Sequence, residues 1–274
     1  DIVFVVDISK SMLALSNGEY DAETASGCSP TRLNEVARQV LNFISRLEDE
    51  QSVRLALVVF ARHAYPVIPL FTEDFHFFKR RFQQELRVKN ILHVPEGSNH
   101  WYALEQALEI FQNDRANKKL VIMLTDGEPD MPREKLLENK TRALRMLRQS
   151  GKADIHVIGV GQPNVRKPIY AVWSENGCPD STQGFLRQVG PGGQGDIMWS
   201  MMDTVQLAAF ATETGGQYIQ SSSGVELAEN LREIFTRKRR KIGTDYETRR
   251  YDISEPIIIV LLVLQAGAIL LKTP

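Results

Sequence analysis

Apolar positions along this chain follow two rhythms. Short, near-continuous apolar runs, as expected of strands buried on both faces, alternate with longer segments whose apolar residues recur at helical spacing. That alternation predicts a parallel α/β sheet. The first run, Ile2–Asp7, predicts a core strand. A long polar loop containing Gly18, Gly27 and Pro30 follows. A helix is then expected to start at Ser29-Pro30, with Ser as N-cap and Pro at the first helical position. Its apolar stripe is Leu33, Val36, Ala37, Val40, Leu41, Ile44 and Leu47.

Ser52–Phe60 and Ala64–Leu70 read as two strands joined by the turn Ala61-Arg62-His63, an antiparallel pair at a sheet edge. Thr72 is expected to cap a helix whose stripe is Phe75, Phe78, Phe82 and Leu86. Further helices are predicted over Trp101–Gln112, Arg133–Arg148, Thr204–Thr214 and Val225–Lys241. Strands are predicted over Leu120–Leu124, Ile155–Val160 and Gln217–Gln220. Gly215-Gly216 supplies a C-cap. Roughly 40 residues between Val160 and Thr204 are rich in Gly, Pro and Asn and weakly patterned, and loops of such length are usually functional or mobile rather than filler.

The tail breaks the pattern. Pro256–Leu271 is uncharged and almost wholly apolar, though its roughly 16 residues fall short of the roughly 20 that span a bilayer comfortably. A buried or interfacial helix is the alternative, but the absence of a polar face favours a membrane anchor. The expected organisation is therefore a domain over 1–241, a basic and polar linker over 242–255 and a transmembrane helix over 256–271. The chain opens directly on a core strand, so a further segment is expected before Asp1.

A length of 274 residues allows one large α/β domain plus an appendage. A net charge of −1 with mixed signs argues against a nucleic-acid surface spread over the molecule. Cys28 and Cys178 are too few for a disulfide scaffold. They are either two unrelated thiols or one bridge between loops, and the bridge would need an oxidising compartment.

Candidate chemistry lies where strands end. Asp7-Ile8-Ser9-Lys10-Ser11 places a carboxylate and two hydroxyls at alternate positions leaving the first strand. Thr125-Asp126-Gly127 leaves a second strand, and Gly97-Ser98-Asn99 precedes a helix. In open α/β sheets, ligands bind outside the carboxyl ends of the strands. Asp7, Ser9, Ser11, Ser98 and Asp126 are thus expected to meet at one sheet edge. Oxygen-only donors suit a hard cation, Mg²⁺ first, with Mn²⁺ or Ca²⁺ as alternatives.

Asp-x-Ser-x-Ser after one apolar strand and Thr-Asp-Gly after another resemble the metal-ion-dependent adhesion site of von Willebrand factor A (VWA) domains. The resemblance implies a Rossmann-like, doubly wound, mostly parallel sheet. It also implies metal ligation by Asp7, Ser9, Ser11, Ser98 and Asp126, with Ser98 standing where that family usually has Thr. A sixth position on the metal is left for a partner's Asp or Glu.

Thr31-Arg32-Leu33, Leu57–Ala61, Pro69–Thr72, Val157–Gly161, Thr214–Tyr218 and Arg249-Arg250-Tyr251 resemble the bacterial Bat-type (aerotolerance) VWA proteins. That resemblance implies an inner-membrane protein working beside MoxR-type AAA ATPases and other VWA proteins, in envelope stress tolerance or protein maturation. The sequence departs from the pattern in longer segments at Met12–Pro30 and Gln162–Met202, both expected near the metal face.

Lys10, Glu128 and Asp130 read as solvated loop residues, and His100 as a helix-start residue. His63, His76, His93, His100 and His156 show no zinc spacing. Trp173 and Trp199 are either interface anchors or packing that holds their loop together. The run Arg237–Lys241 would keep a flank cytoplasmic, whereas the family and a Cys28–Cys178 bridge favour a periplasmic domain, which is the expectation adopted. The alternative is a cytoplasmic-facing subunit that binds a MoxR-type ATPase directly. An enzyme of the haloacid dehalogenase type would need a second Asp two residues after Asp7, where Ser9 stands. The expectation is a binding module, with Asp126→Ala removing partner capture and leaving the fold intact.

Overall fold

The computed structural model describes residues 1–16, 30–48, 53–113, 118–127, 132–149, 153–173, 179–188 and 195–238. The chain divides into a unit over Asp1–Asn230 and a second over Leu231–Pro274, of which 231–238 are described and helical.

The first unit is built on a six-stranded sheet. Its strands are β1 (Ile2–Asp7), β2 (Leu55–Phe60), β3 (Ala64–Thr72), β4 (Lys119–Thr125), β5 (Ala153–Val160) and β8 (Gln217–Ser221), and the spatial order is β3-β2-β1-β4-β5-β8. β6 (Lys167–Pro168) and β7 (Trp199–Ser200) form a separate antiparallel pair inside the long segment after β5. All neighbours in the main sheet run parallel except β3, which is antiparallel to β2 at the edge. The helices are α1 (Arg32–Leu47), α2 (Phe75–Glu85), α3 (Val88–Ile91), α4 (His100–Asn113), α5 (Arg133–Gln149) and α6 (Thr204–Thr214), with residues 224–230 also helical.

Strand alternation sorts the core into two layers. Val3, Val5, Ala56, Val58, Val121, Met123, Ile155 and Val157 pack with α4, α5 and α6. The other face is covered by α1 and α2: Phe4 meets Phe43 edge-on and lies 5.9 Å from Phe78. Both faces are covered, which is why β1, β2 and β4 read as unbroken apolar runs.

Several expected boundaries shift for local reasons. α1 begins two residues later than expected, because Thr31 accepts from the Asn34 amide as its N-cap. Ser29 lies outside the described residues. α2 is capped by Asp74, which accepts from the Phe77 amide, while Thr72 accepts from the Asp74 amide just before it. α6 spans Thr204–Thr214 as expected and ends at Gly215 with φ 70°, the left-handed conformation that closes a helix.

Among the described residues no helix is long and apolar enough to cross a membrane. Pro256–Leu271, the linker 242–255, Arg239–Lys241, Cys28, Cys178, Glu128 and Asp130 lie outside the described residues.

Candidate metal centre

Sheet order reverses between β1 and β4: β1 leads to β2 and β3 on one side, and β4 leads to β5 and β8 on the other. Crossovers leaving in opposite directions open a crevice at the carboxyl ends of these two strands. Asp7 ends β1 and Asp126 follows β4, so the topology alone brings both carboxylates to that crevice. Gly97-Ser98-Asn99 enters from the third side, fixed by the Asn99 amide donating to the Ala61 carbonyl and by Asn99 Oδ1 accepting from the Tyr102 amide at the start of α4.

The five expected residues converge in one hydrogen-bonded chain. Ser98 Oγ donates to Asp7 Oδ2 at 3.0 Å, and Asp7 Oδ1 accepts from the Ser9 amide at 2.8 Å. Ser9 Oγ and Ser11 Oγ share a hydrogen bond of 2.8 Å, and Ser11 Oγ donates to Asp126 Oδ1 at 3.0 Å. All five residues are buried, both carboxylates completely.

Four further residues complete the site. Thr125 Oγ1 donates to Asp7 Oδ2 at 2.6 Å and accepts from the Gly127 amide at 3.1 Å. Because its proton goes to Asp7, the 3.0 Å contact with His100 Nε2 must carry the proton on His100. Arg32 Nη1 donates to Asp126 Oδ2 at 2.6 Å and to Ser200 Oγ. Sequence reasoning quoted Thr125 and Arg32 inside motifs without giving them a role at the site, and Ser200 carried no local signal at all. Arg32 had a usable one: a charged residue on the apolar side of an otherwise amphipathic helix, next to Leu33.

Burial dominates the electrostatics. Asp7 is raised to about 7, chiefly by desolvation and then by the nearby charge of Asp126, while hydrogen bonds from Ser9 and Thr125 pull the other way. Desolvation lowers His100 to about 4, against the charges of Asp126 and Asp203. His100 is therefore a neutral donor near pH 7; it opens α4, as expected of a helix-start residue, and is buried against Phe60 and Phe210.

Asp126 is ion-paired with Arg32, but no cationic side chain among the described residues pairs with Asp7. A buried ionised carboxylate without a cation is costly. Hydroxyl and carboxylate oxygens facing it are the donor set a hard divalent ion takes. The residues present fit such an ion. Asp126→Ala, however, would leave the Arg32 guanidinium buried and unpaired, so the expectation that this change spares the fold gives way to a structural cost.

The long segment after β5 reaches the site and also touches the start of the other long segment at Ser16. Ser200 of β7 contacts Arg32 and Asp126, and Lys167 of β6 donates to the Ser16 carbonyl at 2.9 Å. Burial and the charge of Arg32 lower Lys167 to about 8. Lys10 is not simply solvated: it pairs with Glu96 at 3.2 Å, tying the Asp-x-Ser-x-Ser loop to the segment that carries Ser98. Trp173 packs within its loop, edge-on to Tyr170, whereas Trp199 is 41% exposed beneath Arg166. Among the described residues, His, Cys, Asp and Glu form no cluster of three or more that could hold a metal, so the candidate centre depends on its hydroxyls.

A doubly wound parallel sheet with an oxygen-lined crevice at its switch point defines the class of protein. The von Willebrand factor type A domain model matches residues 1–185, and the chain belongs to that family, whose domains commonly bind a divalent metal and mediate protein–protein interactions. The fold is shared with an aerotolerance-related membrane protein from Bacteroides fragilis at 19% identity and TM-score 0.62, covering 87% of this chain and 98% of that one. BatB from Bacteroides thetaiotaomicron matches at 18% identity and TM-score 0.65 with the same coverage. The PilB minor pilin from Streptococcus sanguinis matches at 14% identity and TM-score 0.56, over 87% of this chain and 60% of that one. No curated protein matched the chain by sequence.

Proposed function

We propose that this chain is a metal-dependent protein-binding module of the Bat type. Asp7, Ser9, Ser11, Ser98 and Asp126 would hold a divalent cation, Mg²⁺ first and Mn²⁺ or Ca²⁺ as alternatives. Bound there, the ion supplies a positive centre able to accept the carboxylate of a partner's Asp or Glu. The observation that carries this reading is Asp7, a fully buried carboxylate that accepts from the Ser98 and Thr125 hydroxyls and feels the charge of a second carboxylate, Asp126. Such an arrangement is unfavourable in itself and becomes favourable when a cation enters.

The Bat-type assignment draws support from the Thr31-Arg32-Leu33 and Thr214–Tyr218 motifs. It also draws on a fold in common with two Bacteroides proteins over 98% of their length. With it come the proposals of a bacterial inner-membrane setting, anchorage through Pro256–Leu271, a periplasmic domain and a part in envelope stress tolerance or protein maturation. The role is binding rather than catalysis, since Ser9 stands where a phosphatase of related topology would need its general acid.

Calorimetric titration of Mg²⁺ and Mn²⁺ into the full chain and into Asp7→Asn tests the metal. One saturable site, lost in the variant, is the expected result. No binding to the wild type, or equal binding to both, overturns the reading.

A further inference from the structure

Arg32 is a permanent charge placed inside the candidate metal centre. It is the first residue of α1 and is 1% exposed. Nη1 faces Asp126 Oδ2 at 2.6 Å, Ser200 Oγ at 2.5 Å and the Ser11 carbonyl at 3.5 Å. Nε has no hydrogen-bond partner among the described residues. Room for the side chain is made by Gly161, whose φ of 131° favours glycine and where a Cβ would stand 2.7 Å from Nε. A guanidinium does not deprotonate in a protein.

Stability alone is a weak reason for such an arrangement. Buried ion pairs are often no more stabilising than apolar residues of the same volume, and here one donor is left unpaired. What Arg32 does change is the charge of the centre. Ionised Asp7 and Asp126 contribute two negative charges, which one divalent cation would cancel. Among the fully buried side chains of the crevice Arg32 then leaves one positive charge over. Lys167, 7% exposed and close enough to feel Arg32, adds to the same field, and the half-buried Asp203, whose charge reaches His100, opposes it. An uncompensated charge in a buried place is unfavourable until a counter-ion arrives.

We propose that Arg32 keeps the metal-loaded centre one positive charge in excess, so that metal alone binds weakly and metal with a carboxylate binds tightly. Arg32 is then the residue that makes the centre select an acidic side chain over a neutral oxygen from its partner. The inference rests on the metal-binding reading above and goes further, to what sets the partner's chemistry. The coupling between metal and carboxylate is reciprocal: each tightens the other by the same factor.

The test is calorimetric titration of Mn²⁺ into the full chain near neutral pH, once in chloride and once in acetate at equal ionic strength. Wild type is expected to bind Mn²⁺ roughly tenfold more tightly in acetate. Arg32→Gln, which keeps a donor for Asp126 but no charge, should bind Mn²⁺ in chloride roughly tenfold more tightly than wild type and lose the acetate effect. Arg32→Lys, which restores the charge, should behave as wild type, and a merely structural role would move none of these ratios. Wild-type binding indifferent to acetate overturns the proposal without any variant. So does an Arg32→Gln chain that is folded by circular dichroism yet binds no more tightly than wild type, and in both cases the metal site itself stands. Absence of Mn²⁺ binding in wild type and Arg32→Gln alike overturns the metal reading and this proposal together. Binding by Arg32→Gln alone supports Arg32 as the charge that opposes the metal.

Discussion

Asp7→Asn should stabilise the metal-free protein, although it removes a buried side chain that accepts from Ser9, Ser98 and Thr125. The titration of Asp7 moves from 3.8 to about 7 on folding. A raised carboxyl contributes stability that is fully present below its unfolded pKa and is lost as pH rises through the folded one. Above about pH 7 the metal-free fold therefore carries a penalty on the order of 4 kcal/mol. Asparagine removes the charge and retains an acceptor for the Ser9 amide, while its Nδ2 can donate to the Ser98 hydroxyl after it rotates. It can also donate to Thr125 once His100 shifts its proton to Nδ1 and Nε2 accepts from Thr125. Allowing for weaker hydrogen bonds than a carboxylate makes, about 2 kcal/mol of net stabilisation remains. In a domain of this size that is a rise in Tm of about 4–8 °C.

A simple pH scan of the wild type would hide the effect. His100 is lowered from 6.5 to about 4, so its contribution is full above 6.5 and is lost as pH falls toward 4, opposite in sign to Asp7 over nearly the same window. The informative comparison is the two proteins side by side, in EDTA, at a pH above both folded values. Excess Mg²⁺ should then raise the wild-type Tm and leave Asp7→Asn unmoved, since a ligand at a hundred times its Kd adds about 2.7 kcal/mol. An Asp7→Asn protein that melts at or below the wild type in EDTA would show that Asp7 is not an uncompensated buried charge, and the case for a cation there would fail with it.

The other carboxylate should behave oppositely: Asp126→Ala strands Arg32 and should destabilise by about 3–5 kcal/mol in urea unfolding without metal, more than any loss of ligand binding would explain. Gly127→Ala should lose about 1–3 kcal/mol in the same assay, because φ is 80° and the new Cβ would stand 2.5 Å from Leu207 Cγ and 2.9 Å from the Asp203 carbonyl oxygen. In ¹⁵N-edited NMR, His100 should keep its proton on Nε2 and show no titration between pH 5 and 8, as its lowering to about 4 and its bond to Thr125 require.

Much of this centre was legible in the sequence because it is written at strand ends. A strand buried on both faces announces itself as an apolar run, and the residue where the run stops is placed at the sheet edge by topology alone. Asp7 and Asp126 could be assigned to one crevice on that basis, with Ser9 and Ser11 following at alternate positions. The parallel strands β1, β2, β4 and β5 were also recovered along the chain, since each carries an apolar run, whereas β8 has two exposed glutamines and was marked by the Gly215-Gly216 stop before it. Caps were harder. Thr72, Asp74, Ser29 and Thr31 are all chemically able to cap, and only the path of the chain decides which hydroxyl or carboxylate meets an amide.

What escaped the sequence came from partners far apart along the chain. Arg32 meets Asp126 across 94 positions and Ser200 across 168, and no periodicity links them. The apolar stripe of α1 was read as Leu33, Val36, Val40 and their neighbours, yet Arg32 and Glu35 are buried beside it. A helix entering a core at its N-terminus brings its first turn against whatever the strand ends present. Here that is a pair of carboxylates, and a cation at the first helical position follows from the same topology that put the carboxylates there. The opposed predictions for Asp7→Asn and Asp126→Ala restate that asymmetry in measurable form: two acids of one crevice, one already paired by the fold and one left for a cation to satisfy.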